Sequence, residues 1–159
     1  MRRLAVTIVV ATLAMLGLVS SAQAQSGHFV EGGANAPVCT DIGTQVACSG
    51  KVAGLGGTTF EVTVAAPGVA TVECANPAGH VAPGQDTAVD VAGATGPLPT
   101  PRNGQFVFTT TSATPQLPAT PTCPNAMWTP TVIDVAFGDA TLTLFEDGAQ
   151  VDQVIVAVT

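Results

Sequence analysis

The sequence predicts an all-β protein, an immunoglobulin-like Greek-key β-sandwich of about seven or eight strands with two disulfides. Apolar and polar residues alternate with period two along much of the chain, as they do in half-buried strands. Valine and threonine, which favour strands, are abundant, and glycine and proline punctuate the segments between them. No stretch shows a convincing helical pattern. An antiparallel barrel is the main alternative.

The chain begins with an export signal. Arg2 and Arg3 precede an apolar run over residues 4–19, and Ala22-Gln23-Ala24 then gives the small-x-small pattern that signal peptidase accepts. We therefore expect residues 1–24 to be a signal peptide and the protein to be secreted, into the medium or a periplasm. The apolar run is shorter than the about 20 residues of a membrane span. Gln25 stands where a lipoprotein would have cysteine, so no stable membrane anchor is expected.

The expected mature chain, residues 25–159, is acidic. It holds all 11 acidic residues but only two strong cations, Lys51 and Arg102, for a formal net charge of −9. Nucleic acids and anionic membrane surfaces are therefore disfavoured partners, because their phosphates require basic surface. A length of 135 residues fits one domain.

The elements follow in order along the chain. Residues 25–44 are expected to form a loose N-terminal segment, and residues 45–159 a single sandwich domain. Turns are expected at Pro67-Gly68, Gly138-Asp139 and Asp147-Gly148, and proline-rich loops over residues 76–85, 93–104 and 112–127. The predicted strands are Gln45–Ala53, Thr59–Ala65, Val69–Ala75, Thr87–Val91, Gln105–Thr111, Thr131–Phe137, Ala140–Phe145 and Gln150–Val158.

Alternation also predicts which side chains share a face. Phe60, Val62 and Val64 fall on one side of their strand, and Ala70, Val72 and Cys74 face inward on the next. Further along the chain, the predicted shared faces are Ile133, Val135 and Phe137, then Leu142 and Leu144, then Val154, Val156 and Val158.

Four cysteines, an even number in an exported domain, predict two disulfides. Three pairings of Cys39, Cys48, Cys74 and Cys123 are possible. We favour Cys39–Cys48, which would flank a short polar hairpin segment, and Cys74–Cys123, which would tie a strand to a proline-rich loop. A zinc site would require close cysteine pairs, and the sequence contains none.

No catalytic, cofactor-binding or metal-binding residue is assigned. A hydrolytic triad needs a histidine base, and the mature chain offers only His28 in the loose segment and His80 in a loop. Its serines lie in no nucleophile-elbow context; they are Ser26, Ser49 and Ser112. Glycoside hydrolysis by a carboxylate pair would leave Trp128 as the only sugar-stacking residue, and we interpret this tryptophan as a core or loop-covering side chain.

The acids near the last two predicted turns could converge on calcium. They are Asp139, Glu146, Asp147 and Asp152. The spacing of an EF-hand loop is absent, so solvated turn acids are the preferred interpretation.

Three stretches carry a resemblance. They are Cys74-Ala75-Asn76-Pro77-Ala78-Gly79 running to Pro83-Gly84-Gln85, then Asn103-Gly104-Gln105-Phe106, and Cys123-Pro124-Asn125-Ala126-Met127-Trp128-Thr129. Over residues 46–158 the chain resembles small secreted bacterial proteins of immunoglobulin-like shape with no assigned activity. The resemblance implies that Cys74 and Cys123 bracket the central part of the domain. The general class, though not the cysteine spacing, is also similar to that of enediyne-carrier apoproteins.

The function expected from the sequence is that of a secreted, non-catalytic module with a binding or structural role, and its partner would be a protein or envelope component. One alternative is a carrier of a small apolar ligand, with a cleft lined by Phe60, Phe106 or Phe108. The other is a small extracellular enzyme.

Overall fold

A computed structural model describes residues 27–118 and 122–159. The expected signal peptide, residues 1–24, lies outside the described residues. Within those two ranges, no helix is long and apolar enough to cross a membrane.

The protein is all-β, with eleven strands in the described residues and one short 3₁₀ helix at Gly33–Asn35. One sheet contains β1, β2, β3 and β8, and the other contains the remaining seven strands. The strands are β1 (His28–Phe29), β2 (Val38–Asp41), β3 (Val46–Ala53), β4 (Thr59–Ala75), β5 (Val81–Pro83), β6 (Thr87–Ala94), β7 (Leu98–Pro99), β8 (Phe106–Thr111), β9 (Thr129–Phe137), β10 (Ala140–Glu146) and β11 (Ala149–Val156).

Strand β4 is the axis of the larger sheet, and all its pairings are antiparallel. It pairs with β7, β6 and β5 in turn along one edge, and with β10 and then β9 along the other. Strand β11 pairs with β10. In the smaller sheet β3 is central, with β8 on one edge and β2 and β1 end to end on the other.

The turn expected at Pro67-Gly68 is wrong, because β4 runs straight through both residues. The reason lies in the neighbouring strands. β10 pairs with β4 as far as Ala65, and β9 pairs with it from Gly68 onward. Gly138, in the step between β9 and β10, donates its N–H to the carbonyl of Pro67 at 2.8 Å. The missing N–H of proline thus faces an interruption in the ladder, where proline is tolerated within a sheet. Gly138-Asp139, also predicted to reverse the chain, forms this step instead.

Two hydrophobic clusters lie along β4. The inward-facing Phe60, Val62 and Val64 pack in the first cluster with residues of both sheets, such as Phe108 of β8 and Leu142 of β10. Each of these fully buried side chains contributes about 1.5–3 kcal/mol relative to exposure. The predicted faces of both halves of β4 are confirmed.

The second cluster is formed by the other half of β4. Ala70, Val72 and Cys74 are buried there with Val89 and Val135. Side chains from the proline-rich connection between β8 and β9 pack against it, namely Leu117, Cys123 and Trp128. This part of the sheet is therefore covered by a loop rather than by the opposite sheet.

The N-terminal segment differs from the expectation that residues 25–44 would be loose. Phe29 in β1 pairs with Val52 and is buried in the first cluster. Strand β2 pairs with β3 from Val38 to Asp41. The sequence did not predict these strands because residues 26–38 are rich in glycine. Strands of two and four residues are also too short to show an alternating pattern.

Both expected disulfides are present, in the favoured pairing. Cys39 and Cys48 are directly opposite each other in the β2–β3 ladder. Cys74 and Cys123, 49 residues apart, join the end of β4 to the covering loop. This second bridge closes the longer loop, so it removes more conformational entropy from the unfolded chain. In the chain-entropy description it stabilises the fold by about 4 kcal/mol, and the first bridge by about 2.5 kcal/mol.

The two sheets approach each other closely at Gly93 in β6. A Cβ atom at this position would lie 2.8 Å from the Cα of Ser112, just beyond β8. Next to it, Ala113 donates its N–H to the carbonyl of Ala92 at 2.8 Å. The atoms that a Cβ at Gly93 would meet belong to the backbone, so they cannot move aside as a flexible side chain would.

We predict that Gly93→Ala lowers the free energy of unfolding by about 3 kcal/mol, because the added methyl group forces the sheets apart. The control is Gly32→Ala, where a Cβ has open space and φ is −126°. Urea unfolding followed by circular dichroism measures both. Equal stability of the two variants would contradict the close approach.

Candidate functional site

The hairpin between β10 and β11 ends in a two-residue turn. Asp147 and Gly148 both have positive φ, 48° and 81°, as a type I′ turn requires. The predicted Asp-Gly hairpin is confirmed. The turn positions the Asp147 side chain over the segment that connects β3 to β4.

The carboxylate of Asp147 accepts hydrogen bonds from that segment. Thr58 donates its N–H at 3.0 Å and its hydroxyl at 2.6 Å to Oδ1, and Thr59 donates its N–H at 2.9 Å to the same atom. These bonds favour the charged form. The Thr58 hydroxyl, followed by the backbone N–H groups of Thr59 and Thr58, lowers the pKa of Asp147 from 3.8 to about 2.

Glu146 is fully buried beside Asp147. Its Oε1 accepts the N–H groups of Gly56 at 2.7 Å and Gly57 at 3.3 Å. Gly27 lies against the same carboxylate, since a Cβ there would be 3.0 Å from the Cδ of Glu146. One side chain thus joins the hairpin, the glycine-rich connection and the N-terminal segment.

Asp152 has a similar role in β11. Its Oδ2 accepts the N–H of Phe29 at 2.7 Å and so holds β1 in place. Asp139 stands at the opposite end of β10 from Glu146. The four acids therefore do not converge, and three of them accept backbone N–H groups instead. Among residues 27–118 and 122–159, no group of three or more His, Cys, Asp or Glu side chains could hold a metal ion.

The two histidines are both exposed, and they lie in different parts of the fold. His28 is in β1, and His80 precedes β5 in a turn where Asn76 Oδ1 accepts its backbone N–H at 2.9 Å. The buried hydroxyl of Ser112 accepts the N–H of Val46 at 3.0 Å, so it closes the end of β8 against β3. The structure brings no serine in the described residues together with a histidine in a nucleophile–base arrangement.

The phenylalanines considered for a ligand cleft are part of the first hydrophobic cluster. Phe60 and Phe108 are buried, and Phe106 is half-buried with its ring centroid 5.0 Å from that of Phe60. Phe29 packs edge-on against Phe108 at 5.7 Å. Trp128 is half-buried and covers the second cluster, which confirms its interpretation as a loop-covering side chain.

A β-bulge in β9 changes the face predicted for Ile133. Thr71 pairs with Asp134, but the next residue of β4, Val72, pairs with Val132, so Ile133 is the extra residue. Val132 turns toward the second cluster, and Ile133 points outward with 52% of its surface exposed. The prediction that Ile133 shares a face with Val135 and Phe137 is therefore wrong. A bulge shifts the alternation by one residue, and nothing in the sequence marks its position.

The outward-facing Ile133 forms one wall of an apolar groove on the outer face of the larger sheet. Thr71 and Glu73 of β4 form the floor, and Val81 and Pro83 of β5 form the opposite wall. The groove has a volume of about 250 Å³. Val81 is 57% exposed.

The charges around the groove are negative. Glu73 lines it, and the exposed Asp134 stands opposite Thr71 on the same face. The two strong cations of the described residues are elsewhere: Lys51 lies in β3 of the other sheet, and Arg102 lies in the turn between β7 and β8, toward the opposite end of β4. The groove thus combines aliphatic walls with a carboxylate, and neither the lysine nor the arginine of the described residues lies beside it.

Two further clefts, both more polar than the groove, lie near β5, β9 and the connection between β8 and β9. One, of about 410 Å³, lies between Thr44, Leu117 and Pro130. The other, of about 490 Å³, lies beside Cys123 and is lined by Gly84 and Gln85. Both are bordered by the loop that covers the second cluster.

Comparison of the chain with protein-family models, curated proteins and solved structures gave no match.

The hydrogen bonds of Asp147 predict a pH-dependent stability. The folded-state pKa lies below the ordinary value of 3.8, so the carboxylate stabilises the fold above about pH 4. That contribution is lost as the pH falls toward 2. Asp147→Asn should therefore unfold at lower urea concentration than the native protein at pH 7, and the difference should shrink between pH 4 and pH 2.

Urea unfolding at a series of pH values tests this expectation, with Asp139→Asn as the control at an exposed position outside the contact of Asp147 with Thr58 and Thr59. A difference for Asp147→Asn that stays constant down to pH 2 would show that the charged carboxylate is not the stabilising form.

Proposed function

We propose that the chain is an exported, non-catalytic β-sandwich module that binds or supports another component outside the cytoplasm. In this proposal residues 1–24 direct export, and the strands follow an immunoglobulin-like Greek-key path. Two disulfides in a single small domain are typical of an oxidising compartment, extracellular or periplasmic. They support a destination outside the cytoplasm.

The observation that carries the proposal is the use of the carboxylates. Glu146, Asp147 and Asp152 are three of the acids considered for calcium binding, and each accepts backbone N–H groups that hold neighbouring segments. A carboxylate engaged in this way stabilises the contact between the segments that it joins. What remains exposed is a rigid framework that presents an apolar groove on one sheet.

Two alternatives remain as outcomes of the test. A carrier of a small apolar ligand would retain its ligand on purification. It would have to use a site other than Phe60 and Phe108, which are buried in the core. A small extracellular enzyme would require reactive groups gathered in one cleft, whereas His28 lies in β1 of the smaller sheet and His80 in the turn before β5 of the larger sheet.

Native mass spectrometry of the protein, secreted from a bacterial host that carries the full-length gene, tests the proposal. We expect the bare mass of residues 25–159, about 4 Da below the reduced mass because of the two disulfides. The same sample after reduction and denaturation is the control. A retained small molecule, a retained metal ion, or an unprocessed chain left in the cytoplasm would each contradict the proposal.

A further inference from the structure

We infer that the groove between β5 and β9 is a docking site for an extended protein segment in which a lysine or arginine is flanked by aliphatic residues. This inference rests on the proposed function, since it names the partner class of a binding module. It depends on three features of the groove: its shape, its charge, and the exposed apolar surface beside it.

The shape comes from the β-bulge. The extra residue in β9 turns Ile133 outward, opposite Val81 and Pro83 across the width of β4. A sheet face with regular pairing would present a flatter surface there. A volume of about 250 Å³ is below the about 300–1,000 Å³ of most small-molecule sites, so it suits one or two side chains of a larger partner.

The charge selects a cation. Glu73 is half-buried on the floor, and Asp134 is exposed beside it, while both strong cations of the described residues lie elsewhere. A lysine or arginine side chain matches this combination, because its aliphatic stem packs on apolar walls and its charged head reaches the carboxylates. The acidity of the chain would also steer a basic partner toward it.

The apolar surface extends past the groove. Val69, in β4 one outward position before Thr71, is 47% exposed. An exposed apolar side chain beside the groove suits a protein partner better than a single small molecule. A second copy of this chain is a poor fit, because its corresponding face would bring Glu73 and Asp134 against the same acids.

Selection from a random peptide library displayed on phage tests the inference, with the oxidised protein immobilised. We expect enriched peptides to combine lysine or arginine with neighbouring valine, isoleucine or leucine. Fluorescence polarisation of the enriched peptides then measures affinity. Ile133→Ser should weaken binding about tenfold through lost apolar burial, and Glu73→Gln about threefold through the lost ion pair. Added salt should weaken binding to the native protein more than to Glu73→Gln.

Two matched controls should leave affinity unchanged. Glu61→Gln removes a half-buried acid from the same face of β4 outside the groove, and Val107→Ser removes a 67% exposed aliphatic side chain from β8 of the other sheet. Circular dichroism and urea midpoints verify that each variant is folded. Enriched peptides that bind Ile133→Ser and Glu73→Gln as tightly as the native protein would overturn the inference.

Failure to enrich basic, aliphatic peptides would also overturn it, as would concentration-dependent dimerisation that Ile133→Ser abolishes, since a second copy would then occupy the groove. These results are separable from the test of the module itself. A ligand retained in native mass spectrometry contradicts the non-catalytic module whatever the peptides do, and a bare mass with no peptide selection contradicts the groove alone.

Discussion

Backbone pairing along β4 is the constraint on which the other elements depend. Over its 17 residues this strand pairs with five others, three on one edge and two on the other. Its inward side chains supply the first hydrophobic cluster up to Ala66 and the second from Ala70 onward. A turn at Pro67 would separate those clusters. Because the step between β9 and β10 falls opposite Pro67, the missing N–H of this proline faces an interruption in the ladder, and the strand continues.

The acids complete this framework without cations. With 11 acidic residues and two strong cations expected in the mature chain, ion pairs cannot neutralise most carboxylates. In the last hairpin the carboxylates accept backbone N–H groups instead. Glu146 and Asp147 bind the segment where β3 connects to β4, and Asp152 binds β1. Charge-assisted bonds of this kind are stronger than neutral ones, and they hold the ends of both sheets together. The net charge left on the surface then favours a basic partner.

The sequence predicted the class and much of the strand content for physical reasons. Alternation identified the inward faces of both halves of β4, and Asp147-Gly148 identified the hairpin. The prediction from sequence was wrong where pairing with a neighbouring strand determines the backbone conformation. Pro67-Gly68 has the composition of a turn, and only the step in the paired strand makes it a continuous segment. Short pairings such as β1 and β5 carry too few residues to show a period.

The candidate site could not be predicted for a related reason. Alternation assigns Ile133 to the core, and the groove exists because a bulge reverses that assignment. Likewise, the acids of the last hairpin are adjacent in sequence to turn residues, but their acceptor role depends on a connection about 90 residues away. Sequence patterns report local geometry, whereas both features are set by which strands lie side by side.

Native-state hydrogen exchange measured by NMR tests the central role of β4 most directly. If β4 unites the two clusters, the slowest amides over residues 70–75 should exchange with the same free energy as those over residues 60–66, within roughly 1 kcal/mol, through global unfolding. Much faster exchange confined to residues 70–75 would contradict this account. It would mean that the second cluster opens on its own and that β4 does not act as one structural unit.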